Sequence, residues 1–216
     1  MNNNILNKKF RYTYSNSVAW LVGVNVLIYF IITIANPVIG RIPLYYWLSL
    51  IPVFIRQGYI WQFVTYMFVH VDTMHLFFNM YALFMFGMTL ERSIGTREFL
   101  LFYFVTGVLG GVLSYVIYLF AGMNVALMGA SGAVYALLFL TSVMYPHGRI
   151  LLFFFIPMKM PVAVMVFMAI EVFSQVFGSN TGVAHLVHLS GIAIAWVYCL
   201  LRFRISPIKV WRDALR

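Results

Sequence analysis

Apolar runs free of Asp, Glu, Lys and Arg cover Val18–Ala35, Met74–Leu90, Phe99–Ala121 and Gly182–Leu201. Each approaches the roughly 20 residues that a helix needs to cross a hydrocarbon layer. Two further runs are less regular. Ser131–Tyr145 is short, and Ile150–Phe177 is interrupted by Pro157, Lys159 and Pro161. The second reads as an interfacial stretch followed by a span from about Val162 to Phe177. The alternation of a membrane β-barrel is absent, so helices are the spanning structure left. The expectation is an all-α polytopic membrane protein with six transmembrane helices. Residues 17–203 form its membrane core, between a tail at 1–16 and a basic tail at 204–216.

Composition agrees with this. Apolar residues make up 63% and charged residues 9% of the 216, too few charges to cover a soluble fold of this size. The net charge of +9 is not the footprint of nucleic-acid binding, which needs a basic patch on a soluble surface. The basic residues lie between the apolar runs instead, where they report topology. Lys8, Lys9, Arg11, Arg92, Arg97, Arg149, Lys159, Arg202, Arg204, Lys209, Arg212 and Arg216 fall on one side, and only Arg41 and Arg56 on the other. That bias puts both termini in the cytoplasm. The connection 36–73 carries Tyr45, Tyr46, Trp47, Tyr59 and Trp61, the aromatic content of an interfacial segment. The lone Cys199 excludes an internal disulfide and a cysteine-rich metal site.

Polar groups inside spans mark function by default. Counting helix rise from the cytoplasmic boundary puts Ser131 about 22 Å up, His188 about 21 Å, and His75 and Asn79 about 24 and 18 Å. Groups from three spans thus share one layer, below the external surface of a ~30 Å core. The fourth span is too short to reach that surface, so the loop 122–130 has to dip inward to meet it. Gly129 and Gly132 flank the serine, where backbone must turn tightly or approach closely. Irregular backbone at such depth lines a cavity or packs in protein, and the expectation is a water-accessible cavity open to the outside.

A serine beginning a helix is ordinarily an N-cap, and a buried histidine ordinarily a helix–helix hydrogen bond. At matched depth the pair reads as nucleophile (Ser131) and general base (His188), since a hydroxyl is a weak nucleophile until an imidazole can take its proton. His188, Gly191 and Ala195 share one face of the last span, and small residues allow the approach this pairing requires. Tyr135, one turn after Ser131, either stacks on the imidazole or packs as an ordinary aromatic. His75 and Asn79, at i and i+4, either donate to a developing oxyanion or hold helices together. His185 sits higher, near the external mouth. Glu171 is the one carboxylate deep in a span, either a hydrogen-bonded packing residue or a third member of the group. A metalloenzyme is the rival chemistry, but no Glu adjoins the histidines as in H-E-x-x-H, so neither metal nor cofactor is expected. A non-catalytic membrane protein, either a small transporter or a helix-binding chaperone, is the rival class, although the paired broken helices of a transporter are absent.

These residues resemble the rhomboid intramembrane serine proteases, in the bacterial-type form with a six-helix core. Gly129-Ala130-Ser131-Gly132 is similar to that family's G-x-S-G motif, with Tyr135 at its stacking position. The run from His70 to Asn79 resembles its second-helix signature, continued by Glu91 and Gly95, and Ala184–Gly191 resembles its A-H-x-x-G pattern. The resemblance covers about residues 17–203. It implies an endopeptidase that uses Ser131 and His188, with His75 and Asn79 at the oxyanion and Gly191 at the helix contact. Its substrates would be transmembrane proteins in the lipid bilayer, cut near the external face. The chain departs from the pattern at Trp61-Gln62, where the family has Trp-Arg, and at Ala195, where its small-residue repeat has Gly.

Overall fold

The computed structural model describes residues 13–35, 44–152, 155–177 and 182–216. Most of the expected N-terminal tail, including Lys8, Lys9 and Arg11, lies outside the described residues, as does Arg41, expected on the opposite side. Among the described residues five helices are long and apolar enough to cross a membrane: α1 (Ser17–Ala35), α5 (Thr73–Ile94), α6 (Thr96–Phe120), α8 (Met160–Phe177) and α9 (Gly182–Tyr198), the last extended by a π-helical turn at Cys199–Phe203. The sixth apolar helix, α7 (Ser131–Met144), has 14 residues. Between α1 and α5 lie the short helices α2 (Leu44–Leu48), α3 (Pro52–Arg56) and α4 (Gln62–Thr65). The interrupted run after α7 forms a hairpin, β1 (Arg149–Leu152) with β2 (Ile156–Lys159), a small addition to an otherwise helical chain. Pro161 falls in the first turn of α8, where the missing N–H costs nothing.

The short α7 is the hub. Twelve of its 14 residues are buried, and α5, α6, α8 and α9 all pack around it. Large apolar side chains on the outer faces, among them Trp20, Leu27, Phe77, Phe84, Phe173 and Phe177, are exposed, as expected where the solvent is hydrocarbon. Close packing at the centre rests on glycine. A Cβ added to Gly191 of α9 would stand 2.1 Å from the carbonyl oxygen of Gly132 in α7, and one on Gly110 of α6 would touch the Gly191 backbone at 3.5 Å. Three helices therefore meet backbone to backbone, with Ala195 fully buried one turn further along α9.

Buried carboxylates fasten two helix ends. Glu91 accepts hydrogen bonds from the Ser17 and Val18 amides (2.8 and 3.2 Å), the Ser17 hydroxyl (2.8 Å) and Thr96 Oγ1 (2.6 Å). It thereby caps the N-terminus of α1, where negative charge is favoured, and braces the turn at Gly95 between α5 and α6. Glu98 receives Tyr198 Oη at 2.6 Å and Arg202 at 2.9 and 3.1 Å, closing α6 against the end of α9. The basic C-terminal segment folds as α10 (Pro207–Leu215). Its Trp211 meets Phe139 of α7 edge-on at 5.4 Å, and Lys159 donates to the Ala214 carbonyl.

The segment ahead of α5 is tied down by Gln62. Its buried side chain accepts from the Ile51 amide (3.0 Å) and donates to the carbonyls of Tyr46 (3.0 Å) and Trp47 (3.2 Å). A neutral amide with both a donor and an acceptor thus anchors this connection where the family pattern has Arg. Leu50 and Leu127 exchange two backbone hydrogen bonds (2.9 and 2.8 Å), and the Gly129 amide donates to the Tyr66 carbonyl (2.9 Å), so the end of the loop before α7, from Leu127 to Ala130, packs in protein while residues 122–124 are exposed.

Candidate active site

Ser131 is the first residue of α7, where amide groups lack intrahelical acceptors. It is presented by Gly129, whose φ of 112° suits only glycine. Space makes the same demand, because a Cβ at Gly129 would lie 2.8 Å from His75 Nε2 and 3.7 Å from Ser131 Oγ. His75 and the serine hydroxyl thus border one small gap. Asp72 caps α5 by accepting from the His75 amide at 2.8 Å, which sets the depth at which this helix begins. Asn79 is buried one turn below and donates one amide hydrogen to the His75 carbonyl at 2.9 Å. Its second N–H is free to serve another acceptor.

Ser131 Oγ lies 2.7 Å from His188 Nε2. The imidazole is stacked on Tyr135, with ring centroids 4.2 Å apart and planes 9° from parallel. The Gly132–Gly191 contact brings α7 and α9 near enough for this bond to form. Of the residues that spacing groups together, Ser131, His188, Tyr135, Gly129, Gly132, Gly191 and His75 are joined by these contacts, and Asn79 is linked to them through the His75 carbonyl. Next to His75 the ring of His70 is buried, with centroids 5.1 Å apart. Burial pushes its imidazole down to about 4, so this neighbour is neutral at ordinary pH.

Glu171 belongs to the same group. It is buried in α8, with Oε1 3.0 Å from His188 Nδ1 and Oε2 2.5 Å from His185 Nδ1, and it also accepts from the Tyr135 hydroxyl. Oε1 stands off the axis of the His188 N–H, so that contact is electrostatic more than directional. The sequence signal was its isolation as a carboxylate inside a span; its partners depend on the rotation of α8, which no spacing rule gives. His185, expected at the external mouth, meets this carboxylate through Nδ1 while its side chain stays 20% exposed. One ligating atom from each of Glu171, His185 and His188 lies within 4.8 Å of the others, a donor set of the type that holds divalent cations.

Chemically, a hydroxyl bonded to an imidazole at the start of a helix, beside further N–H donors, is equipped for acyl transfer. A family model, the Rhomboid domain, matches residues 57–205. The chain is 30% identical over 155 residues to RHOMBOID-like protein 12, mitochondrial, of Arabidopsis thaliana, covering 65% of this chain and 46% of that protein. It is 29% identical over 147 residues to Rhomboid protease GlpG of Haemophilus influenzae, covering 66% of this chain and 70% of that protein. Rhomboid-like protease 2 of Toxoplasma gondii is 38% identical over 88 residues, 41% of this chain and 30% of that one. The chain thus spans less than half the length of two of these three relatives. With the family model extending from the segment before α5 to the end of the last span, this multi-pass, all-α membrane protein belongs to the rhomboid family.

Proposed function

We propose that this chain is a serine endopeptidase that cuts other membrane proteins within or beside their transmembrane helices. The observation that carries the reading is the 2.7 Å contact between Ser131 Oγ and His188 Nε2. Ser131 Oγ adds to the scissile carbonyl carbon as His188 Nε2 takes the hydroxyl proton. The same proton passes to the leaving amine as the peptide C–N bond breaks. Water then adds to the acyl carbon as His188 Nε2 takes its proton, the bond from that carbon to Ser131 Oγ breaks as the proton passes to Oγ, and the acid product leaves. The Ser131 amide, His75 and Asn79 donate to the oxyanion. The Lys/Arg distribution supports cytoplasmic termini and a site open to the external face of the plasma membrane.

The test is cleavage of single-span proteins by the purified chain in lipid, together with labelling by a fluorophosphonate, which reacts with an activated serine. Ser131→Ala and His188→Ala should each abolish cleavage and labelling. Removing His75 and Asn79 together should lower kcat by roughly 10²-fold or more with little change in KM. Full activity in either dyad variant would sink the assignment. Substrates with Gly or Pro near the external end should be cut faster than uniformly Leu-rich ones, because their helices unwind at lower cost. Equal rates would remove unwinding as the selective step.

A further inference from the structure

We propose that Glu171 is a positioning residue for His188, so that the reacting group is Ser131–His188–Glu171, with its third member supplied by α8. The inference rests on the Ser131–His188 reading above and deepens it. The geometry uses both ring nitrogens of His188. Nε2 faces Ser131 Oγ at 2.7 Å, and Nδ1 faces Glu171 Oε1 at 3.0 Å. An ionised carboxylate only accepts, so it favours the tautomer with hydrogen on Nδ1. That tautomer leaves the Nε2 lone pair toward the serine, as a general base requires. When the ring takes the serine proton, the adjacent carboxylate balances the imidazolium charge.

The surroundings of Glu171 are built for this task. A carboxylate sealed inside an apolar bundle is strongly unfavourable unless donors surround it. Here two hydrogen bonds reach it, from the Tyr135 hydroxyl on α7 and from His185 on α9, and the His188 ring stands against it at 3.0 Å. Tyr135 acts twice, holding the His188 ring from its face and the carboxylate through its hydroxyl. A mere packing role would not need the carboxylate to face the one imidazole that is already bonded to the serine. His185 takes the other oxygen, Oε2, and so fixes the rotation of the carboxylate.

The test compares the full chain with Glu171→Gln, which keeps the shape and removes the charge, and with Glu171→Asp. For Glu171→Gln, kcat should fall roughly 10²- to 10⁴-fold with KM within about twofold, and fluorophosphonate labelling of Ser131 should slow in parallel. Glu171→Asp should recover at least about tenfold of that loss, since it restores the charge at slightly longer reach. A raised KM with unchanged kcat would make Glu171 a packing residue and overturn the proposal. So would activity that a chelator removes and added Zn²⁺ restores, which would make Glu171 a ligand. Independently of any variant's folding, ¹⁵N spectra of the wild-type chain should show His188 protonated on Nδ1 and bare on Nε2. The opposite tautomer would also overturn the proposal. If Glu171→Gln is fully active while Ser131→Ala and His188→Ala are inactive, this inference alone fails; if the latter two are active, the dyad fails with it.

Discussion

The meeting of α6, α7 and α9 and the packing of α8 beside it are two different ways to hold a helix in lipid. At the first, glycines bring backbones into contact, and a methyl group at Gly191 would overlap the Gly132 carbonyl. At the second, Met160, Pro161, Ala163 and Val164 bury one end of the helix. Beyond them Glu171 is the only buried residue, while Ile170, Val172, Phe173, Val176 and Phe177 face outward. In hydrocarbon, apolar area gains little by leaving lipid for protein, so shape and polar pairing decide which helices stay together. The central helices use shape, which tolerates almost no change. The outer half of α8 uses mainly a cluster of hydrogen bonds, which tolerates any change that leaves the cluster intact.

Substitutions at the two places should differ accordingly. Gly191→Ala forces a Cβ against backbone that cannot step aside and should cost about 3 kcal/mol or more, read as a large fall in the thermal midpoint of the purified protein. A midpoint within a degree or two of wild type would mean the helices can separate, and the contrast would be lost. Gln62→Ala leaves the Ile51 amide and two carbonyls without their partner and should cost about 1–3 kcal/mol. Because Gln62 braces the connection between α1 and α5 rather than the helix centre, that loss should be accompanied by faster proteolytic nicking between α2 and α4. Phe173→Ala, on the lipid-facing side of α8, should stay within about 0.5 kcal/mol. A loss approaching that of Gly191→Ala would show that α8 is held by apolar contact after all.

Much of this arrangement was legible from spacing. The apolar runs match the long helices closely, and counting residues from the cytoplasmic boundary put Ser131 and His188 at one depth, where they lie 2.7 Å apart. Depth needs only helix rise, a local quantity. Azimuth does not follow from it. Whether Glu171 faces lipid, packing or the imidazole depends on how α8 is rotated against α7 and α9, and one sequence carries no record of that rotation. The roles of Gln62 and the hairpin at Arg149–Lys159 were hidden for a related reason. Both are set by partners far along the chain or by strand pairing within an irregular apolar run, where no periodicity announces them.

The Glu91 clamp has a consequence for the order in which the molecule is made. Ser17, at the start of α1, waits for a carboxylate 74 residues downstream. At ordinary elongation rates of about 5–20 residues per second, that interval lasts roughly 4 to 15 seconds. During it α1 is already long enough to enter the bilayer, yet the amides at its N-terminal end have only water to bond. Arrival of Glu91 replaces that hydration and, through Thr96, sets the turn into α6 at the same moment. The first span is thus inserted early but secured late, and the residue that secures it also starts the third.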